Sequence, residues 1–86
     1  MLIKEITLTN QGGLHARPAT FFVHLCSTFQ SKIEIALNDK IANAKSLISV
    51  MALGAGRGKS IRLIADGCDE ELVMEKVTDF FQNLTD

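Results

Sequence analysis

The sequence predicts an α+β fold of the open-faced β-sandwich kind, with a four-stranded antiparallel sheet and three helices packed on one of its faces, in the order βαββαβα. Three observations carry that prediction. Three segments alternate apolar and polar residues and a fourth follows one of them across a tight hairpin turn, giving one-faced strands whose sheet has one side to cover and one to leave in water. Three other segments repeat their apolar residues at helical spacing and supply the cover. Finally, 86 residues hold material for one hydrophobic core only, so residues 1–86 are read as a single domain.

The elements follow in order. Leu2 to Thr9 places Leu2, Ile6 and Leu8 on one face and Glu5, Thr7 and Thr9 on the other, with Lys4 the exception on the apolar side. Asn10-Gln11-Gly12-Gly13 is a turn by composition, and Ala16 to about Phe29 carries Ala19, Phe22, Val23 and Cys26 at helical spacing. Pro18 falls in the first turn of that helix, where a missing N–H costs nothing. Lys32 to Leu37 alternates again, and Asn38-Asp39 makes a tight hairpin into Lys40–Asn43. Ser46 caps a two-turn helix carrying Leu47, Ile48, Val50 and Met51, which Gly54 ends. Ser60 to Ala65 is the fourth strand, with Ile61, Leu63 and Ala65 inward. The last helix starts near Asp69, Glu70 and Glu71, acids favoured by the helix dipole, and runs an apolar stripe through Val73, Val77, Phe80, Phe81 and Leu84.

Composition narrows the function. With 47% hydrophobic and 22% charged residues and a mean hydropathy of +0.17, the chain has enough apolar matter to fold, yet it is too small to carve a large ligand cavity from its core. Chemistry must therefore sit on the surface. The net charge of −1 conceals two unequal parts: residues 1–62 carry eight bases against three acids, a balance of +5, and residues 63–86 carry one base against seven acids, a balance of −6. An acidic C-terminal helix accounts for part of this, and a basic face that docks acidic partners is the sharper reading. No stretch reaches the ~18 apolar residues of a membrane span, and no export signal precedes the first strand, so a cytoplasmic protein with no membrane insertion is expected. Cys26 and Cys68 are 42 residues apart with no metal spacing, and His24-x-Cys26 reads as a surface histidine beside a core cysteine; no metal is expected.

Two tempting signals fail. The loop Gly54-Ala55-Gly56-Arg57-Gly58-Lys59-Ser60 ends like a phosphate-binding loop, but Leu53 occupies the leading glycine's place and a strand follows instead of a helix, so it reads as a connection. Nucleic-acid binding by base stacking needs aromatics on the sheet, whereas Phe21, Phe22, Phe29, Phe80 and Phe81 all fall on predicted helices; no nucleic-acid partner is expected.

The stronger signal is Gly13-Leu14-His15-Ala16-Arg17-Pro18-Ala19-Thr20. It sets a histidine directly before a helix start, where free backbone N–H groups and the positive dipole end attract an anion, and places a guanidinium two residues on. By itself His15 is either a helix cap or a nucleophile that accepts a phosphoryl group, and Arg17 favours the second, because a cation is poorly placed by the dipole unless a negative charge arrives.

This run resembles the active-site signature of the HPr family, the histidine-containing phosphocarriers of the bacterial phosphoenolpyruvate-dependent sugar phosphotransferase system. The segment Ala44 to Gly54 is similar to the same family's regulatory serine region, and length and element order agree from end to end. The resemblance implies a carrier that is not itself an enzyme and holds no cofactor. His15 would take a phosphoryl group on Nδ1 from enzyme I, supported by Arg17 and by the backbone N–H groups of Ala16 and Arg17, and pass it to the A domain of a sugar-specific enzyme II. Thr20, Leu47, Ile48 and Met51 would dock partners; Leu47, Ile48 and Met51 cannot all face the core from a two-turn helix, so an exposed apolar patch is expected. Ser46 would be phosphorylated by a serine kinase/phosphorylase, weakening acceptance from enzyme I and creating a surface for a catabolite-control transcriptional regulator. A monomer suits such a shuttle. The alternative is a regulatory module of the same fold acting through phosphorylated Ser46 alone, against which the presence of His15 counts. Two departures from the family pattern stand out: Gly12, where many members carry a polar residue, and the Gly56-Arg57 pair, which makes the 54–58 loop more flexible and more basic than usual.

Overall fold

The computed structural model describes residues 1–14 and 16–84. Its elements are β1 (Leu2–Thr7), α1 (Arg17–Cys26), β2 (Lys32–Leu37), β3 (Lys40–Asn43), α2 (Leu47–Leu53), β4 (Ser60–Asp66) and α3 (Glu70–Gln82). The strands form one antiparallel sheet in the order β1-β4-β2-β3, so the expected fold stands.

Alternation decides which side of the sheet is covered. Ile33 and Ile35 of β2, Ala42 of β3 and Ile61, Leu63 and Ala65 of β4 point to the helices and are buried. Ile3, Glu5, Lys32, Arg62 and Ile41 belong to the opposite, open face and are exposed. A register slip of one residue would exchange the two sets, so burial itself specifies the pairing. Lys4 faces the helix side at the sheet edge, where its Nζ donates to Thr78 Oγ1 of α3 at 2.9 Å, which explains a lysine in an apolar position. On the covered side Phe22 of α1 meets Phe81 and Phe80 of α3 at centroid separations of 5.5 and 6.1 Å, joining both helices over the sheet.

Element ends differ from the sequence expectation in two places. β1 stops at Thr7 because Leu8 exchanges backbone hydrogen bonds with the loop before β4: its N–H donates to Lys59 O and its carbonyl accepts from Gly58 N. α1 stops at Cys26, short of Phe29, as the hydroxyls of Ser27 and Thr28 donate to the carbonyls of Val23 and Leu25. Asp69 then holds the following segment, accepting from the backbone N–H groups of Gln30 and Ser31 at 2.9 Å and from the Ser31 hydroxyl. Phe29 thus lies beyond the helix, buried in the core. Asp69 is the N-cap residue of α3 by position, but its side chain serves this neighbouring loop and not its own helix.

Candidate functional site at the start of helix α1

The loop leading to α1 is held by its own residues and by one neighbour. Asn10 is buried and its Nδ2 donates to Gly13 O at 2.8 Å, closing a turn. Gly13 has φ +63, and a Cβ there would lie 2.6 Å from Gly56 Cα and collide with the Ala55 carbonyl oxygen. The next residue uses that same carbonyl: Leu14, fully buried, donates its N–H to Ala55 O at 2.8 Å. The 54–58 loop, which the sequence suggests is only a connection, is therefore the wall against which the α1 entrance rests. Its glycine pattern gave the wrong hint, and the informative glycine of the entrance is Gly13, not Gly12.

His15 lies outside the described residues. The residues after it are described. Ala16 has φ +53, a conformation that costs a residue with a Cβ roughly 1–3 kcal/mol and that tends to persist where function maintains it. Its carbonyl accepts from both the N–H and the hydroxyl of Thr20, at 3.0 and 3.1 Å. Ala16 at the N-cap position offers no side-chain acceptor, no acid stands in the first turn of α1, and Pro18 supplies no N–H, so among the described residues no side chain caps this helix. Arg17 is exposed beside them.

The docking residues expected from the sequence are placed as follows. Thr20 is exposed on α1, and Leu47, Ile48 and Met51 are exposed on α2, which packs against α1; Ile48 is 82% exposed. Phe21, 56% exposed on α1, joins them and was not foreseen, since one phenylalanine of a Phe-Phe pair on a helix reads as core. Val50 and Leu53 anchor α2 to the core. Ser46 is half-buried at the α2 N-cap, where its hydroxyl accepts from Ser49 N–H at 3.4 Å, and Gly54 closes the helix at φ +71. Of the bases that suggested a basic face, only some are available on it. Lys4 is engaged with Thr78, Lys45 donates its amine to Phe29 O at 2.7 Å, and Lys32 and Arg62 belong to the open sheet face, with Arg62 donating to Asn38 O. Arg17, Arg57 and Lys59 are the exposed cations of the α1 start and the neighbouring loop.

The cysteines divide as expected: Cys68 is exposed, whereas burial pushes the Cys26 thiol up to about 12, with Lys45 opposing the rise, so it stays protonated and inert. No group of metal-ligating side chains occurs among the described residues.

Comparison with known proteins fits this geometry. The family model described as "PTS HPr component phosphorylation site" matches residues 2–83. The chain belongs to the HPr family. The phosphocarrier protein HPr of Treponema pallidum (strain Nichols) is 39% identical over 83 residues, covering 96% of this chain and 94% of that one. The crystal structure of HPr-C-His from Thermoanaerobacter tengcongensis superposes with a TM-score of 0.93 at 39% identity, over 95% of this chain and 92% of that one. An HPr dimer structure from the same organism matches at a TM-score of 0.76 and 40% identity, over 90% and 88%. HPr proteins are phosphocarriers of the phosphotransferase system, and the βαββαβα order is theirs as well. No helix among the described residues is long and apolar enough to cross a membrane.

Proposed function

We propose that this chain shuttles a phosphoryl group on His15, taking it from enzyme I, with phosphoenolpyruvate as the source, and giving it to the A domain of a sugar-specific enzyme II. The observation that carries the reading is the start of α1. An acid-free first turn whose N-cap residue, Ala16, has no polar side chain, with an exposed arginine beside it, is suited to receive a dianion, and it follows His15 directly in the chain. In each transfer the Nδ1 lone pair forms a bond to phosphorus while the donor's bond to phosphorus breaks and its electron pair leaves with the donor; delivery to enzyme II reverses the roles. Arg17 and the N–H groups of Ala16 and Arg17 neutralise the phosphoryl oxygens. The protein works as a transiently modified carrier in the cytoplasm, as a monomer, and not as an enzyme that turns over a substrate of its own.

Thr20, Leu47, Ile48 and Met51 form the docking face, and Ser46 regulates it. A phosphate on Ser46 adds about −1.5 to −2 charge at the edge of that apolar patch, opposing an acidic partner while remaining tolerable at a helix N-terminus. A serine kinase/phosphorylase would set this mark, and a catabolite-control regulator would read it. The test is incubation with enzyme I, magnesium and labelled phosphoenolpyruvate. An acid-labile label in the wild type that is absent from His15→Ala is expected; an unlabelled wild type, or equal labelling of the variant, removes the carrier reading. An ATP-dependent, acid-stable label that survives in Ser46→Ala removes the regulatory one.

A further inference from the structure

We propose that the 56–59 turn is a second docking element, in which Arg57 and Lys59 meet an acidic surface on the protein that donates the phosphoryl group; this rests on the carrier reading above. The turn is closed on itself and held on both sides. Lys59 N–H donates to Gly56 O at 3.2 Å, closing four residues with Arg57 and Gly58 in the middle. Gly58 has φ +85 at the third position, where turns of type II require a left-handed residue and so favour glycine. Leu8 grips one side, giving its carbonyl to Gly58 N–H at 2.7 Å and its N–H to Lys59 O at 2.9 Å. The other side rests on the α1 entrance, through the close approach of Gly56 to Gly13 and the bond from Leu14 N–H to Ala55 O. Gly56 and Gly58, which in the sequence suggest a flexible loop, thus build a closed turn. A cation carried on such backbone meets a partner without the cost of ordering a loop.

The charge around this turn is one-sided. Arg57 and Lys59 are exposed, and neither side chain has a hydrogen-bond or ion-pair partner among the described residues. Arg17 is exposed at the α1 start that the turn abuts, and only Gly54, Ala55 and Gly56 separate Arg57 from α2. This rim is assembled from two stretches, residues 6–33 and 40–65, and neither contains an aspartate or a glutamate. The acids of the first 62 residues lie elsewhere, Glu5 and Glu34 on the open face of the sheet and Asp39 in the β2–β3 turn. The N-terminal ammonium pairs with Asp66 and Glu70 at the opposite end of β4 from Lys59. Arg57 and Lys59 therefore add two uncompensated cations to the edge of the docking face. A partner that brings carboxylates there gains an attraction that governs encounter and affinity and that salt screens.

The test measures phosphoryl transfer from enzyme I, supplied with phosphoenolpyruvate, to this protein as the varied acceptor, and separates KM from kcat at low and high salt. Arg57→Gln and Lys59→Gln should each raise KM about two- to fivefold and Arg57→Glu about tenfold, with kcat within about twofold of wild type. Arg57→Lys should restore KM, and high salt should erase the differences. Lys32→Gln, a neutralisation on the open sheet face, should change neither constant. Urea midpoints of the variants should match the wild type, since neither side chain has a partner to lose. A wild-type KM for both Arg57→Glu and the double neutralisation overturns the proposal and leaves the carrier reading standing. An equal rise of KM in Lys32→Gln also overturns it, because the effect is then one of net charge. So does a fall in kcat at unchanged KM, which puts the turn at the reacting atoms and not in docking. Salt-sensitive binding of RNA that the double variant loses, with KM unmoved, would assign the turn to a nucleic acid instead. A wild type that takes no label removes the carrier reading and this proposal together.

Discussion

Helices α2 and α3 cover the same sheet, yet they dispose of their large apolar side chains in opposite ways. α3 turns Val73, Val77 and Phe81 into the core, leaves Met74 and Phe80 half-buried and exposes only Leu72, among charged neighbours in sequence. α2, half as long, buries Val50 and Leu53 and exposes Leu47, Ile48 and Met51. Burial of a leucine- or isoleucine-sized side chain is worth about 1.5–3 kcal/mol, so α2 leaves stabilisation unrealised that α3 collects. Packing explains α3 apart from the single exposed Leu72. It explains α2 only as far as Val50 and Leu53, and the remainder makes sense as surface kept for another protein. The charges agree: α3 carries an acidic exterior, while α1 and α2 carry no acid.

The largest effect that would break this contrast is at the support of the α1–α2 side. Gly13→Val combines a left-handed backbone with a collision against Ala55 and Gly56, and should lower the unfolding free energy by about 2–5 kcal/mol, read from urea midpoints. Next comes the patch itself. Ile48→Glu should weaken enzyme I binding at least about tenfold while the folding stability stays within about 0.5 kcal/mol, whereas Leu72→Glu on α3 should change neither. Equal losses for both substitutions would dissolve the distinction between the helices. Ser46→Ala removes the acceptor for Ser49 N–H and should cost about 1 kcal/mol in thermal or chemical unfolding, whereas Ser46→Asp should recover stability yet still bind enzyme I less well.

The smallest effect concerns the α3 side and pH. The Ser31 hydroxyl, with the N–H groups of Gln30 and Ser31, holds the Asp69 carboxyl below its usual range. A depressed carboxylate stabilises the fold above its ordinary titration range and ceases to do so as pH falls through the lowered value. Asp69→Asn should therefore melt earlier than wild type at pH 7, and the two melting curves should converge in strong acid; a gap that persists there would mean the loss is one of shape and not of charge.

Much of this molecule could be read from its residues, and the limits are instructive. Period-two and helical patterns located every element but β3, which the Asn38-Asp39 turn located, because each patterned element buries one face and shows the other. Capping chemistry placed Ser46 and Gly54, since those signals are local. What stayed hidden depends on residues far apart in the chain: Asp69 closing the end of α1 from 38 or 39 positions away, Ala55 receiving Leu14, and the position of β4 between β1 and β2. The candidate site is proposed from a local string, His15-Ala16-Arg17-Pro18, whereas the exposure of Phe21 and the wall formed by the 54–58 loop were not legible, because neither residue type nor spacing says which neighbour will be absent or present.

The strand order carries a consequence for how the protein comes into being. β4 is the sheet's interior seam, pairing with β1 on one side and β2 on the other, and Thr7 must find Ser60 across 53 positions of chain. Closing a span of that length costs about 3.5 kcal/mol in chain entropy before any contact rewards it. The first strand therefore has no partner in the sheet until residues 60–66 are available. The two oppositely charged parts of the chain meet within β4, the strand that joins β1 to the β2–β3 hairpin, so the sheet is continuous only once that strand is in place.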